Sequence, residues 1–180
     1  MNMIGKISRS AAERNLPFIV IGGHAVMAHG FVRATSDWDL LISKEQMPGW
    51  RVAMENLGFK LQFSGPTFLQ FHPLPGEITS LDLMFVDGKN FRQMQADAES
   101  VEADGVTVKV VSILHLFALK CHAFQNNPHR AMKDIEDLVQ LTRIKKLDLN
   151  EPGLRAILVK HGGTEFYELL KRECGKSGVT

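Results

Sequence analysis

The stretch FIVIGGHAVMAHGFVRATSDWDLLI, residues 18–42, constrains the fold more than any other part of the chain. Phe18 to Ile21 is a short apolar run rich in β-branched residues, which reads as a buried strand. Gly22 and Gly23 turn that strand into a helix from His24 to His29, and Gly30 stops the helix. A second strand follows over 36–42 and carries Asp37 and Asp39 on either side of Trp38. Side chains alternate along a strand, so the two carboxylates share one face while Trp38 and Leu40 turn to the core. Carboxylates this close raise each other's pKa unless a cation sits between them. A hard divalent ion with oxygen ligands, Mg²⁺ or Mn²⁺, is the natural partner.

A two-metal clamp needs a third carboxylate, and the run SLDLMFVD supplies one. Asp82 lies inside an apolar strand whose Leu81, Leu83 and Phe85 point the other way. If that strand lies beside the Asp37 strand, three carboxylates converge. Asp87 is the rival, but it precedes Gly88 and suits a turn better. The two glycines fit the same picture. A strand–Gly–Gly–helix junction presents backbone N–H groups at a helix start with no Cβ in the way, an arrangement suited to phosphate. Metal held by aspartates beside a phosphate cradle implies phosphoryl or nucleotidyl transfer. The competing readings are a tight turn without a ligand for the glycines and a solvated edge strand for the aspartates.

The rest of the chain divides by character. Ile4, Ile7 and Ala11 mark a first helix over 3–15. Ser43 is a plausible N-cap with Gln46 as its capping-box partner, Pro48 is an alternative helix start, and Gly58 ends that helix. Residues 59–63, 67–72, 79–86 and 106–111 read as strands, with SGP and PLPGE as breakers. Beyond Ser112 the pattern is helical: one helix to about Gln125, a break at NNP, and a helix over about 130–142. Met132, Ile135, Leu138, Val139 and Leu141 make the apolar face of the latter. Two short helices split by Gly162-Gly163 follow. The expected class is α+β, a mixed sheet flanked by helices, with residues 1–111 as an α/β core and 112–180 as a helical part packed on it, or the whole as a single domain. The 21 basic and 20 acidic residues give net charge +1, so no global basic field draws the chain to nucleic acid. Two cysteines outside any CxxC pair argue against a zinc knuckle and for a reduced cytoplasmic setting. No apolar run approaches membrane-spanning length. The 11 Phe residues read mostly as core. His115 and His122 read as satisfied or surface imidazoles, and His24 and His29, five apart, are poorly placed to share a metal.

Taken together, GG at 22–23, HG at 29–30, Arg33, Thr35, the D-W-D at 37–39 and Asp82 resemble the polymerase-beta-like nucleotidyltransferase superfamily. The pattern is most similar to its small bacterial branch with the AbiEii-type abortive-infection enzymes. The resemblance extends to a helical lysine, Lys120, and to the K-D-x-x-D run Lys133, Asp134 and Asp137, so it spans roughly residues 18–142. It implies the nucleotidyltransferase fold and transfer of a nucleoside monophosphate from an NTP to a hydroxyl. Asp37, Asp39 and Asp82 would be the catalytic metal ligands. Gly22, Gly23, Arg33, Thr35, Lys120 and Lys133 would serve the nucleotide phosphates, with Asp134 and Asp137 in support. The acceptor is left open among an RNA end such as tRNA, a protein and a small molecule, and a cognate antitoxin is a candidate partner. Many superfamily members carry Gly-Ser at the junction, whereas Gly23 replaces that Ser here, as is common in the AbiEii-like branch. This departure keeps a second reading alive, a non-catalytic nucleotide- or partner-binding module. Lys120 lies in the apolar stretch LFALKCHAF, so it either snorkels to the surface or faces a polar cleft. For Lys133 and Asp137, an intrahelical i,i+4 pair is the plain alternative.

Overall fold

The computed structural model describes residues 2–72, 76, 79–103, 105–126 and 131–176. Most of the PLPGE breaker and the break at Pro128, with Arg130 beyond it, lie outside the described residues. In chain order the elements are α1 (Met3–Glu13), β1 (Ile19–Val20), α2 (Gly22–Ala28), β2 (Asp37–Ser43), α3 (Met47–Asn56), β3 (Lys60–Ser64), β4 (Phe68–His72), β5 (Ser80–Val86), α4 (Gly88–Ala96), β6 (Glu99–Ala103), β7 (Val106–Val110), α5 (Ile113–Asn126), α6 (Ala131–Ile144) and α7 (Pro152–Gly175). They fall into two compact units. One comprises residues 1–28 and 33–112, the other residues 29–32 and 113–180.

The first unit is built on a seven-stranded mixed sheet of order β3-β4-β5-β2-β1-β7-β6. β2 pairs in parallel with β5 and β1 with β7, while the remaining pairs are antiparallel. Central strands are apolar: Leu40, Leu41 and Ile42 of β2 and Leu81 and Leu83 of β5 are fully buried. α1 starts where the Asn2 side chain accepts from Gly5 N, and its stripe of Ile4, Ile7 and Ala11 is buried. The capping box expected at Ser43 is not formed. A 3-10 turn over Lys44–Gln46 intervenes, the Ser43 hydroxyl donates to the Glu45 carboxylate, and α3 begins with Pro48 in its first turn.

Between β5 and β7 the chain adds α4 and the edge strand β6, which the sequence reading leaves unassigned. Asp87 caps α4: its Oδ1 accepts from the N–H groups of Lys89 and Asn90, each at 3.1 Å. Those bonds hold its carboxyl below the usual range, the one from Asn90 N–H foremost.

The second unit is helical, with α5 packed on both α6 and α7. Phe117, Leu138, Leu141, Leu158 and Leu170 form its core, and Phe124 meets Phe166 with ring centroids 4.7 Å apart. α7 is two helical segments across a kink at Gly163, whose φ of 80° and ψ of 167° are non-helical. Met132 does not join the apolar face of α6 and is 79 % exposed. Among the described residues no helix is long and apolar enough to cross a membrane.

Candidate active site

The parallel pairing of β2 with β5 sets the site. Its register places Asp37 beside Ser80, Trp38 beside Leu81 and Asp39 beside Asp82. Residues paired across a ladder project from the same face, so all three aspartates share one face while Trp38 and Leu81 are buried on the other. One carboxylate oxygen from each of Asp37, Asp39 and Asp82 lies within 4.8 Å of the others, and all three residues are half-buried. The donor set is all oxygen, open on one side and highly negative, which fits a hard divalent ion such as Mg²⁺ or Mn²⁺.

The glycine junction lies against this cluster. Gly22 has φ +61°, and a Cβ there would stand 2.7 Å from Asp39 Cβ and closer still to its carboxylate. A Cβ at Gly23 would stand 2.9 Å from Thr35 Cβ, overlap Thr35 Oγ1 and lie 3.4 Å from Arg33 Nη1. Glycine is therefore needed at both positions so that β2 and the loop before it can close on the start of α2. Thr35 Oγ1 also donates to Asp37 Oδ1 at 3.2 Å. The Thr35 hydroxyl thus occupies the space into which a residue-23 side chain would project. A main-chain bond from Ile21 N to Asp39 O, 3.0 Å, fixes the junction to β2. On α2, His24 stacks on Trp38 with centroids 3.5 Å apart and planes 3° apart.

Gln70 is a neighbour that sequence reasoning missed. It pairs with Asp82 across β4 and β5, and its Nε2 donates to Asp82 Oδ2 at 3.5 Å. The alternation in FLQFH carried the signal, since it puts Gln70 on the face opposite Leu69 and Phe71.

The other candidates gather in the second unit, around a different interaction. Lys120 on α5 is 4 % exposed, and its ammonium meets Asp134 Oδ1 at 2.7 Å and Asp137 Oδ2 at 2.6 Å, both on α6. It neither snorkels nor stands open to a cleft, because the two carboxylates already neutralise it. Asp137 is therefore engaged by Lys120 across helices, while Lys133 is exposed on α6. Burial next to Asp134 pushes the Cys121 thiol up to about 12, desolvation being the larger cause.

No protein-family model matches the chain, and no curated protein matches it. Solved structures do. The solution structure of the antibiotic-resistance factor ANT(2'')-Ia superposes with TM-score 0.62 at 22 % identity, covering 94 % of this chain and 94 % of that one. The crystal structure of ANT(2'')-Ia with adenylyl-2''-tobramycin gives TM-score 0.51 at 18 % identity, over 95 % of this chain and 94 % of that one. The lincomycin-bound lincosamide antibiotic adenylyltransferase LnuA gives 0.56 at 15 % identity, over 78 % of this chain and 95 % of that one. At these identities the likeness is one of fold: the mixed sheet with its flanking helices is a nucleotidyltransferase fold.

Proposed function

We propose that the protein is a metal-dependent nucleotidyltransferase that moves a nucleoside monophosphate from an NTP to an acceptor hydroxyl and releases pyrophosphate. The observation that carries this reading is the convergence of Asp37, Asp39 and Asp82 within 4.8 Å beside the glycine junction. Two structural neighbours, a lincosamide antibiotic adenylyltransferase and ANT(2'')-Ia in complex with adenylyl-2''-tobramycin, support transfer to a hydroxyl. Mg²⁺ or Mn²⁺ bound here would offset phosphate charge and favour in-line displacement. Asp37, Asp39 and Asp82 would hold the ions, which would supply Lewis-acid stabilisation of the transferred phosphoryl group. Asp82 would also take the proton of the acceptor hydroxyl, with Gln70 orienting the carboxylate through Oδ2. Gly22 and Gly23 let β2 and the loop before it close on the start of α2, whose backbone N–H groups would face the phosphates, with Arg33 as a cation beside them.

The Gly23 departure has a physical answer in this reading. Thr35 Oγ1 fills the volume that a Ser at 23 would enter, and its hydroxyl is used to hold the Asp37 carboxylate, so Gly23 answers a packing need. This weakens the case for a non-catalytic module, which rested on the missing hydroxyl. Lys120, Asp134 and Asp137 serve the fold of the second unit. The antibiotics bound by these neighbours favour a small-molecule acceptor over an RNA end or a protein, while the AbiEii-like branch and an antitoxin partner rest on the sequence resemblance alone.

The test is label transfer. Purified protein, Mg²⁺ and each α-labelled NTP are incubated with tRNA, a protein extract and a panel of hydroxylated antibiotics. Metal-dependent labelling of one acceptor, lost in Asp82→Ala, is the expected result. NTP binding with no transfer to any of these acceptors would return the account to the non-catalytic module.

A further inference from the structure

β3 carries a bulge that changes which face its aromatic residue presents. Leu61 pairs with Phe71, but the next pair is Phe63 with Gln70, so Gln62 is an extra residue in the ladder. In an unbroken ladder Phe63 would pair with Leu69 and point, like Leu69, into the core. The bulge turns Phe63 to the other face, where it is 49 % exposed. Bulges recur next to active sites, where they re-aim a side chain.

The face it reaches is the aspartate face. The register runs Phe63–Gln70–Asp82–Asp39 across four adjacent strands. Phe63 stacks on Phe68, with centroids 5.1 Å apart and planes 27° apart. The turn between them is shaped for that stack. Gly65 N donates to Phe68 O at 2.9 Å, and a Cβ at Gly65 would stand 2.9 Å from the Phe63 ring and 3.3 Å from that of Phe68. Phe63 lies two strand spacings, about 10 Å, from Asp82, and Phe68 lies one spacing from β5, opposite Met84, both on the side away from the glycine junction. Along the same face the neighbouring pair is Lys60 with His72, and β3 and β4 contain no carboxylate.

We infer that the Phe63–Phe68 pair is the acceptor platform, holding a flat ring whose reactive hydroxyl extends past Gln70 to Asp82. The strands that carry the rings add no carboxylate of their own, and their one cationic pair position on this face is Lys60 with His72, so the platform suits a neutral or anionic ring compound better than a polycation. This rests on the nucleotidyl-transfer reading, because it takes the hydroxyl at Asp82 as the attacking group.

The experiment separates the two claims. Wild type, Phe63→Ala and Phe63→Tyr are loaded with Mg²⁺ and a non-hydrolysable ATP analogue, whose own affinity is measured first. Each is then titrated by calorimetry with p-nitrophenyl β-D-glucopyranoside, with methyl β-D-glucopyranoside, which has the same sugar without the aromatic ring, and with kanamycin as polycation. Wild type should prefer the aryl glucoside to the methyl glucoside by on the order of tenfold, the size expected for one stacked ring. Phe63→Ala should erase that preference and Phe63→Tyr should restore it, with kanamycin weakest throughout. No ring preference in wild type, an equal preference in Phe63→Ala, or tightest binding of kanamycin overturns the platform while leaving the transfer reading intact. Failure of the ATP analogue to bind overturns the transfer reading and the platform with it.

Discussion

Replacing Lys120 by Met should damage the fold and not primarily the nucleotide site. The ammonium holds two carboxylates at 2.7 and 2.6 Å, with Asp134 1 % exposed and Asp137 0 % exposed. The Asp134 Oδ2 atom is buried and makes no hydrogen bond, so Lys120 is a principal compensation for that carboxylate. Methionine preserves most of the stem's volume but removes the charge. Breaking a buried ion pair by deleting one partner costs about 3–5 kcal/mol, because the remaining charge stays desolvated. For a chain of this size that corresponds to a fall of about 6–20 °C in Tm. The exposed pair Arg51–Glu55 is the internal control. Its N–O distance of 3.0 Å is similar, but its side chains are 51 % and 45 % exposed, and Arg51→Ala should cost under about 0.5 kcal/mol. Urea denaturation of both variants measures the contrast. Adding Asp134→Asn and Asp137→Asn to Lys120→Met should recover at least half of the loss, since neutral amides no longer leave charge in the interior. A Lys120→Met protein within about 1 kcal/mol of wild type would refute the reasoning.

Asp82→Ala should abolish transfer while leaving NTP binding largely intact, whereas Asp87→Ala should retain activity and lower Tm by uncapping α4; the opposite pattern in paired activity and melting assays would move the third ligand to Asp87. Gly22→Ala combines a left-handed φ with a collision against Asp39, so it should cost on the order of 1–3 kcal/mol and weaken metal binding, and a variant with wild-type Tm and metal affinity would contradict the packing described. The His161 imidazole is held below its ordinary 6.5, first by partial burial and then by Lys160, His122 and His115. Its folded value lies below its unfolded one, so its contribution is complete above pH 6.5 and is lost as pH falls through the folded value. His161→Gln should flatten that part of the Tm–pH curve, and a curve parallel to wild type would argue against it.

The aspartate face was legible in the sequence because strand alternation fixes it locally. Asp37 and Asp39 must share a side, and Leu81, Leu83 and Phe85 fix the side of Asp82. The glycine junction was legible as a turn, but its reason was not, since the collisions with Asp39 and Thr35 are tertiary. α4 escaped notice because GKNFRQMQA is polar apart from Phe91 and Met94, and begins with glycine. β6 escaped because ESVEA is a charged edge strand with little buried surface to pattern it. The bulge at Gln62 depends on the pairing partner, so nothing within β3 announces that Phe63 changes face. Lys120 did leave a signal. Asp134 and Asp137 sit at helical spacing with Leu138 and Leu141 on the buried face of α6, and two carboxylates there require a buried cation.

The central claim is that Asp37, Asp39 and Asp82 form a divalent-ion site that works with NTP. Counting bound Mn²⁺ by electron paramagnetic resonance, with and without a non-hydrolysable NTP analogue, tests it most directly. Wild type with the analogue should bind about two ions per chain. Asp82→Asn should lose one of them, and Asp39→Asn should weaken both without a loss of helix or strand signal. The same number of ions at the same affinity in wild type and both variants would contradict the account.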